Sequence, residues 1–199
     1  MREKKHALRV EALARRDLLS RAESLSWSRL IQAQALQFPP YLICRSVALY
    51  SPIQNEVETK EIRDHAWVTE KSVFFPRMGR QDRLELVEVG SESELAVGRF
   101  GILEPTGKTP ITLQNQGEMV VFVPGVAFDL HGNRLGRGKA WYDRLLKELR
   151  RATFVALAYD CQIVEEVPAD EWDQRVDYII TERRVIDCRC SAAQSSQVL

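Results

Sequence analysis

The spacing of apolar and polar positions changes several times along the chain, and each change marks an element. Residues 3–19 are charged on most faces, with a narrow apolar stripe at Leu8, Ala12, the stem of Arg15 and Leu19, which predicts a helix. A second helix is predicted over 26–37, capped by Ser24 or Ser26 and ended by Phe38-Pro39-Pro40. The period then shortens. Val47-Ala48-Leu49-Tyr50 reads as a buried strand stopped by Ser51-Pro52. A helix from Thr59 to Glu70 leads to a strand, Ser72-Val73-Phe74-Phe75, stopped by Pro76. Leu84 to Val89 alternates imperfectly, as a half-exposed strand does. Met119 to Val123 is unbroken apolar sequence, as in a strand covered on both faces. A helix over 139–150 is followed by strand candidates at Thr153–Tyr159 and Tyr178–Thr181. Strands alternating with helices predict an α/β protein whose sheet is sandwiched by helices. No internal repeat interrupts this pattern, so one domain over 1–190 is expected, with 191–199 as a small, polar, frayed tail.

Composition narrows the class. The chain has 199 residues, 45% of them apolar and 28% charged, as expected for a globular domain and not for a disordered chain. Its 28 Lys and Arg balance 28 Asp and Glu, so nucleic acid is not an expected partner and any phosphate chemistry must come from a local cluster. No apolar run approaches the length of a membrane span, and the charged first twenty residues do not resemble a secretory signal. Cytoplasm is the expected compartment. There Cys44, Cys161, Cys188 and Cys190, which form no Cys-x-x-Cys pair, are expected as free thiols.

Residues 121–145, VFVPGVAFDLHGNRLGRGKAWYDRL, carry the candidate chemistry. A buried strand enters a long polar loop holding Gly125, Gly132, Gly136 and Gly138, and a helix opens near Lys139. Such a loop, at the carboxyl end of a strand in an α/β sheet, is where ligands bind. Glycines admit an anion close to the backbone, and the helix start favours negative charge. Between Asp129 and Arg151 there are seven basic residues against three acidic ones. A Walker A loop is excluded, because five residues separate Gly132 from Gly138 and Ala140 follows Lys139. The dinucleotide fingerprint is excluded because Gly136-Arg137-Gly138-Lys139-Ala140 continues with Trp141.

Several ordered segments together resemble the 5-formyltetrahydrofolate cyclo-ligases, also called 5,10-methenyltetrahydrofolate synthetases. They are Lys5-x-x-x-Arg9, Asn55-Glu56-Val57-Glu58-Thr59, Phe100-Gly101-Ile102-Leu103-Glu104-Pro105, Pro124 to Asp129, Gly132 to Lys139 and Tyr142-Asp143-Arg144. Ala156-Leu157-Ala158-Tyr159, Gln162, Val167-Pro168, Asp173 and Thr181 continue the likeness. The family usually carries Gly and an aromatic, often Tyr, where this chain has Ala140 and Trp141. The resemblance implies a three-layer α/β/α sandwich with a mainly parallel sheet, like sugar-phosphate isomerases and CoA transferases. It also implies ATP- and magnesium-dependent closure of 5-formyltetrahydrofolate to 5,10-methenyltetrahydrofolate, with ADP and phosphate released.

What the resemblance implies for residues follows. Lys139 and Arg137 are the catalytic cations. Lys5, Arg9, Arg134, Leu135, Gly136, Arg137, Gly138, Lys139, Ala140, Trp141, Tyr142 and Asp143 hold ATP. Glu56, Trp141, Tyr142 and Phe100 meet the folate, with Arg77 a weaker candidate, and Asp143 and Asp173 hold magnesium. Spacing alone puts Lys5 and Arg9 one helical turn apart, and offers Asp143 an ion pair with Lys139 or Arg144 instead. His131 is expected to face solvent. The protein is expected to act as a monomer. The rival expectations are a folate-binding protein without catalysis and a sugar-phosphate isomerase.

Overall fold

The computed structural model describes residues 1–98, 101–107, 110–111, 118–149 and 151–189. The helices are α1 (Arg2–Asp17), α2 (Arg21–Leu36), α3 (Pro39–Ile43), α4 (Lys60–Val68) and α5 (Trp141–Glu148). The strands are β1 (Ser46–Ala48), β2 (Ser72–Met78), β3 (Leu84–Glu88), β4 (Leu95–Val97), β5 (Leu103–Pro105), β6 (Met119–Val123), β7 (Ala127–Phe128), β8 (Arg134–Leu135), β9 (Thr153–Leu157), β10 (Tyr178–Ile180) and β11 (Val185–Asp187).

Seven strands form one sheet in the order β11-β10-β9-β6-β1-β2-β3. The five inner strands are parallel, and β3 and β11 add antiparallel edges. The apolar run of β6 divides between two faces, as a doubly covered strand must. Val120 and Phe122 pack with Ile31, Ala35, Tyr41, Ile62 and Ala66, from α2, α3 and α4. Val121 and Val123 pack on the other face with Leu145 and Leu146 of α5 and with Leu149. The three-layer, mainly parallel α/β/α sandwich is therefore present. The chain passes from β1 outward to β2 on one side, while β6 leads to β9 and β10 on the other. The crevice between the carboxyl ends of β1 and β6 is thus the point where strand order reverses.

Several boundaries differ from the sequence reading. α2 begins at Arg21, capped by Ser20, whose Oγ accepts from Glu23 N while Glu23 Oε2 accepts from Ser20 N; Ser24 and Ser26 lie inside the helix. The Ser-x-x-Glu box at 20–23 satisfies two orphan amides at once, which no cap at 24 or 26 would do. β2 does not stop at Pro76. Past Phe74, the last residue paired with β1, it runs beside β3 alone, where a residue without an N–H is tolerated. β1 ends at Ala48, two residues early, and the helix expected over 139–150 spans only Trp141–Glu148. In α1 the inward arginine is Arg16, 1% exposed, while Arg15 turns outward to Glu11.

The polar loop after β6 is not structureless. It folds into the antiparallel hairpin β7–β8, on which α1 packs through Ala12, with Val126, Ala127, Leu135 and Val167. A second hairpin, β4–β5, was likewise unannounced by its short, mixed sequence. Cys44 and Cys188 are buried free thiols, and Cys161 is a half-buried one. The expected tail 191–199 and Cys190 lie outside the described residues. No helix among the described residues is long and apolar enough to cross a membrane.

Candidate active site

The site grows from the end of β6. The β7–β8 turn is held by Asp129, a fully buried carboxylate that accepts hydrogen bonds from His131 N (2.9 Å), Asn133 N (3.0 Å), Asn133 Nδ2 (2.8 Å) and Val167 N (3.0 Å). Gly132 is required in this turn: its φ is +81°, and a Cβ would lie 2.3 Å from the Val176 carbonyl oxygen. β8 then delivers Arg134 and Leu135 to the pocket wall, and residues 136–140 arch into α5.

Ala140, which precedes α5, has a φ of 51° and supplies no side-chain cap. It thus adopts the left-handed backbone that a glycine takes easily, so the loop keeps its course despite the Cβ. Ala140 gives α5 no side-chain cap, and a helix start of this kind suits an anion.

α1 crosses this loop. Arg9 Nε donates to Gly136 O at 2.7 Å, which fixes the loop from above. One turn earlier Lys5 pairs with Asp170 at 2.7 Å and with Asp173. Burial pulls the Lys5 ammonium down, but the two carboxylates more than offset it and hold its pKa above the ordinary value.

Arg134 is buried against Asp143, with Nη2 to Oδ1 at 2.8 Å, and its guanidinium lies 5.7 Å from the centre of the Tyr142 ring. Asp143 is therefore paired, but with neither Lys139 nor Arg144. Arg137 reaches across the pocket to Glu56 Oε1 (3.2 Å from Nη2) and to Gln54 Oε1 (3.1 Å). Glu56 Oε2 accepts from Ile53 N at 3.2 Å. Burial pushes the Glu56 carboxyl above its ordinary pKa; the Ile53 amide, Arg137 and Arg16 offset part of that shift. Lys139 is exposed and has no ion-pair partner among the described residues.

These side chains line one cleft of about 330 Å³. It gathers Lys5, Arg9, Glu56, residues 134–143 and Asp173, every described residue expected at the site except Arg77. Phe100 lies outside the described residues. Arg77 is directed elsewhere, donating to Gly107 O and pairing with Glu85, so it is withdrawn as a pocket residue. His131 is exposed, as expected.

The sequence reading missed Tyr50, Ser51 and Ile53 from the loop after β1, Pro76, Met78 and Leu84 from the β2–β3 pair, and Trp172. Nothing in a strand's period tells which of its ends faces a ligand. Ile102 and Glu104, also in the wall, did carry a signal, since both belong to the Gly-Ile-x-Glu-Pro stretch.

Asp143 and Asp173 offer the hard oxygen donors that magnesium prefers, alongside phosphates and water. Among the described residues no three His, Cys, Asp or Glu side chains come together as a cage for an ion. Both carboxylates are already paired with cations, so an ion here would depend on phosphate oxygens for much of its shell.

A three-layer α/β/α fold with basic side chains gathered in a cleft at the reversal point of a parallel sheet defines an α/β protein that takes its ligand at the carboxyl edge of the sheet. Comparison with known proteins gives the particular kind. Residues 1–182 match the model of the 5-formyltetrahydrofolate cyclo-ligase family. The 5-formyltetrahydrofolate cyclo-ligase of Mus musculus is 33% identical over 191 residues, covering 89% of this chain and 93% of that one. That of Escherichia coli (strain K12) is 29% identical over 175 residues, covering 86% and 96%. The solved 5,10-methenyltetrahydrofolate synthetase of Aquifex aeolicus superposes with a TM-score of 0.82 at 36% identity, over 93% of each chain. The chain belongs to the 5-formyltetrahydrofolate cyclo-ligase family.

Proposed function

We propose that the protein closes 5-formyltetrahydrofolate to 5,10-methenyltetrahydrofolate at the expense of ATP. The observation that carries this reading is the convergence of cations from α1, β8 and the 136–140 loop on one side of a cleft whose other side presents the buried carboxylate Glu56.

A formamide carbon is a poor electrophile because its nitrogen donates into the carbonyl. The formyl oxygen attacks the γ-phosphorus, a P–O bond forms, and the bond to ADP breaks. The lone pair of N10 then attacks the activated carbon. The C–O bond breaks, phosphate leaves with the electron pair, and N10 loses its proton to water. Phosphoryl transfer of this kind needs positioning and charge stabilisation more than a protein nucleophile.

Lys139, exposed and unpaired with any described carboxylate, and Arg137 stabilise the transferring phosphoryl group. Arg9 and the Gly136–Gly138 amides hold the phosphate chain, with Leu135 and Ala140 shaping the wall. Lys5 assists from its pair with Asp173, and Arg134 acts by bracing Asp143 at the helix start. Trp141 and Tyr142 flank the flat pterin, and Glu56 accepts from its N–H groups. Asp143 and Asp173 would hold magnesium, which supplies charge neutralisation on the phosphates when bound. The buried free thiols accord with a reducing cytoplasm.

The test is spectrophotometric. Absorbance of methenyltetrahydrofolate should grow when 5-formyltetrahydrofolate, magnesium and ATP are all supplied, and not when ATP is left out. Absence of turnover at high enzyme concentration removes the proposal.

A further inference from the structure

Of the four tryptophans in the chain, three are half-buried: Trp27 packs beside Tyr159, Trp67 donates from Nε1 to Val89 O, and Trp141 opens α5. Trp172 differs from them. It is 63% exposed, it lines the cleft, and its indole has no hydrogen-bond or ring partner among the described residues. A lone exposed apolar side chain is ordinary on a protein surface. This one stands in a ligand cleft, on a backbone fastened from two sides.

Trp172 is the third residue of a turn closed twice. Asp173 N donates to Asp170 O at 3.0 Å, and Asp170 N donates to Asp173 Oδ2 at 2.7 Å. Lys5 of α1 pairs with the carboxylates of both Asp170 and Asp173. One residue further on, Gln174 N donates to Asp143 Oδ1 of α5 at 3.3 Å, and Gln174 Nε2 donates to Trp172 O at 3.2 Å. The turn is thus held between α1 and α5, with Trp172 on the part of the cleft wall that Lys5 shares. The 136–138 loop lies against the same helix: Arg9 Nε donates to Gly136 O, and a Cβ on Gly138 would lie 3.6 Å from Arg9 Cζ.

A fixed aromatic face left in water at a cleft suits a flat ring. The proposed reaction brings in the purine of ATP and the pterin and benzoyl rings of the folate. The charge around Trp172 chooses between them. Asp170, Glu171 and Asp173 flank it, and Lys5 is the only cation paired with them among the described residues. The benzoyl ring of a folate would bring its two glutamate carboxylates into this acidic turn. The purine is uncharged, and its phosphates would run from here onto Lys5, Arg9 and the 136–138 loop.

We propose that Trp172 is the stacking platform for the purine base of ATP. The inference rests on ATP as co-substrate, as proposed above, and adds the residue that receives its base.

Calorimetry tests it in the presence of magnesium. The β,γ-imido analogue of ATP, inorganic tripolyphosphate and 5-formyltetrahydrofolate are each titrated into the wild type, Trp172→Ala and Trp172→Phe. Trp172→Ala should bind the ATP analogue about tenfold more weakly, the scale of one lost base–aromatic stack. Its affinity for tripolyphosphate, which has no base, should not change, nor should its affinity for the folate. Trp172→Phe should recover most of the loss. The indole emission that disappears in Trp172→Ala should be quenched by the analogue and not by tripolyphosphate. A turn that merely props the phosphate site would lose analogue and tripolyphosphate alike; that result, a loss confined to the folate, or unchanged affinity for the analogue overturns the inference. Trp172→Leu, which keeps apolar bulk without a π face, carries the same prediction should the Ala variant not fold. A wild type that binds no ATP analogue removes the proposed function together with this inference. A wild type that binds it and turns over, while Trp172→Ala and Trp172→Leu match it, removes the role of Trp172 alone.

Discussion

Arg134 Nη2 donates to Asp143 Oδ1 across 2.8 Å, with the two side chains 3% and 15% exposed. The pair ties β8 to the first turn of α5, and so fixes both ends of the arch from Gly136 to Ala140. Gln174 N also donates to Asp143 Oδ1, at 3.3 Å, which brings in the chain before β10. Removing one member leaves the other as an uncompensated, largely buried charge. Asp143→Ala should therefore lower stability by about 3–5 kcal/mol. Replacing both with apolar residues should cost less, and urea denaturation of the three variants measures the difference.

Lys139 is the cation best placed to reveal the chemistry, since it is exposed and pairs with no described carboxylate. Lys139→Ala should lower kcat/KM for ATP by roughly 10²-fold, the scale of one lost transition-state donor. Its unfolding free energy should move by no more than about 0.5 kcal/mol. Steady-state kinetics beside a denaturation curve checks both halves, and unchanged kinetics refutes the role.

Ala140 holds a left-handed backbone with a φ of 51°. That conformation costs an L-residue roughly 1–2 kcal/mol, and glycine avoids it at some cost in chain entropy. Ala140→Gly should accordingly stabilise the protein by about 0.5–1 kcal/mol, read as a higher urea midpoint with unchanged slope.

Gly132 gives the opposite case. Gly132→Ala would force a Cβ to 2.3 Å from the Val176 carbonyl at a φ of +81°. A loss of at least about 2 kcal/mol is expected, because the obstacle is backbone and cannot turn aside. A melting curve decides it.

The pKa of Glu56 is raised by burial, from an ordinary value of 4.5. The folded state therefore binds this proton more tightly than the unfolded chain does. Keeping Glu56 ionised costs stability above the folded pKa, and that cost is relieved as the pH falls through it. With Glu56 in its proposed role as an anionic acceptor, folate binding should fade over the same acid range. Its midpoint should lie above that of an ordinary glutamate in a calorimetric pH series. A midpoint at or below 4.5 would refute the assignment.

Legibility in the sequence followed the length scale of the forces involved. The apolar run Met119–Val123 announced a doubly covered strand because burial on both faces leaves no polar position. The glycine-rich stretch 132–139 pointed to a ligand cleft, and residues 134–139 do line one, because its residue types and helix start are local facts. The Ser20–Glu23 box was equally local, yet it lay outside the apolar period by which α2 was placed. The hairpin β7–β8 was hidden because its strands have two residues each, too few to show alternation.

The order of residues in the chain thus determined the α/β class, the central strands and the basic, glycine-rich loop that walls the cleft, since these depend on neighbours a few positions apart. Which carboxylate meets which cation was decided only by tertiary structure. Arg134 meets Asp143, Arg137 meets Glu56 and Lys5 meets Asp170 and Asp173, while Arg16 is buried without a hydrogen-bond partner among the described residues. Charges attract without directional preference along a sequence, so their pairing is fixed by the packing that brings α1, the 54–56 loop and α5 around one crevice in the sheet.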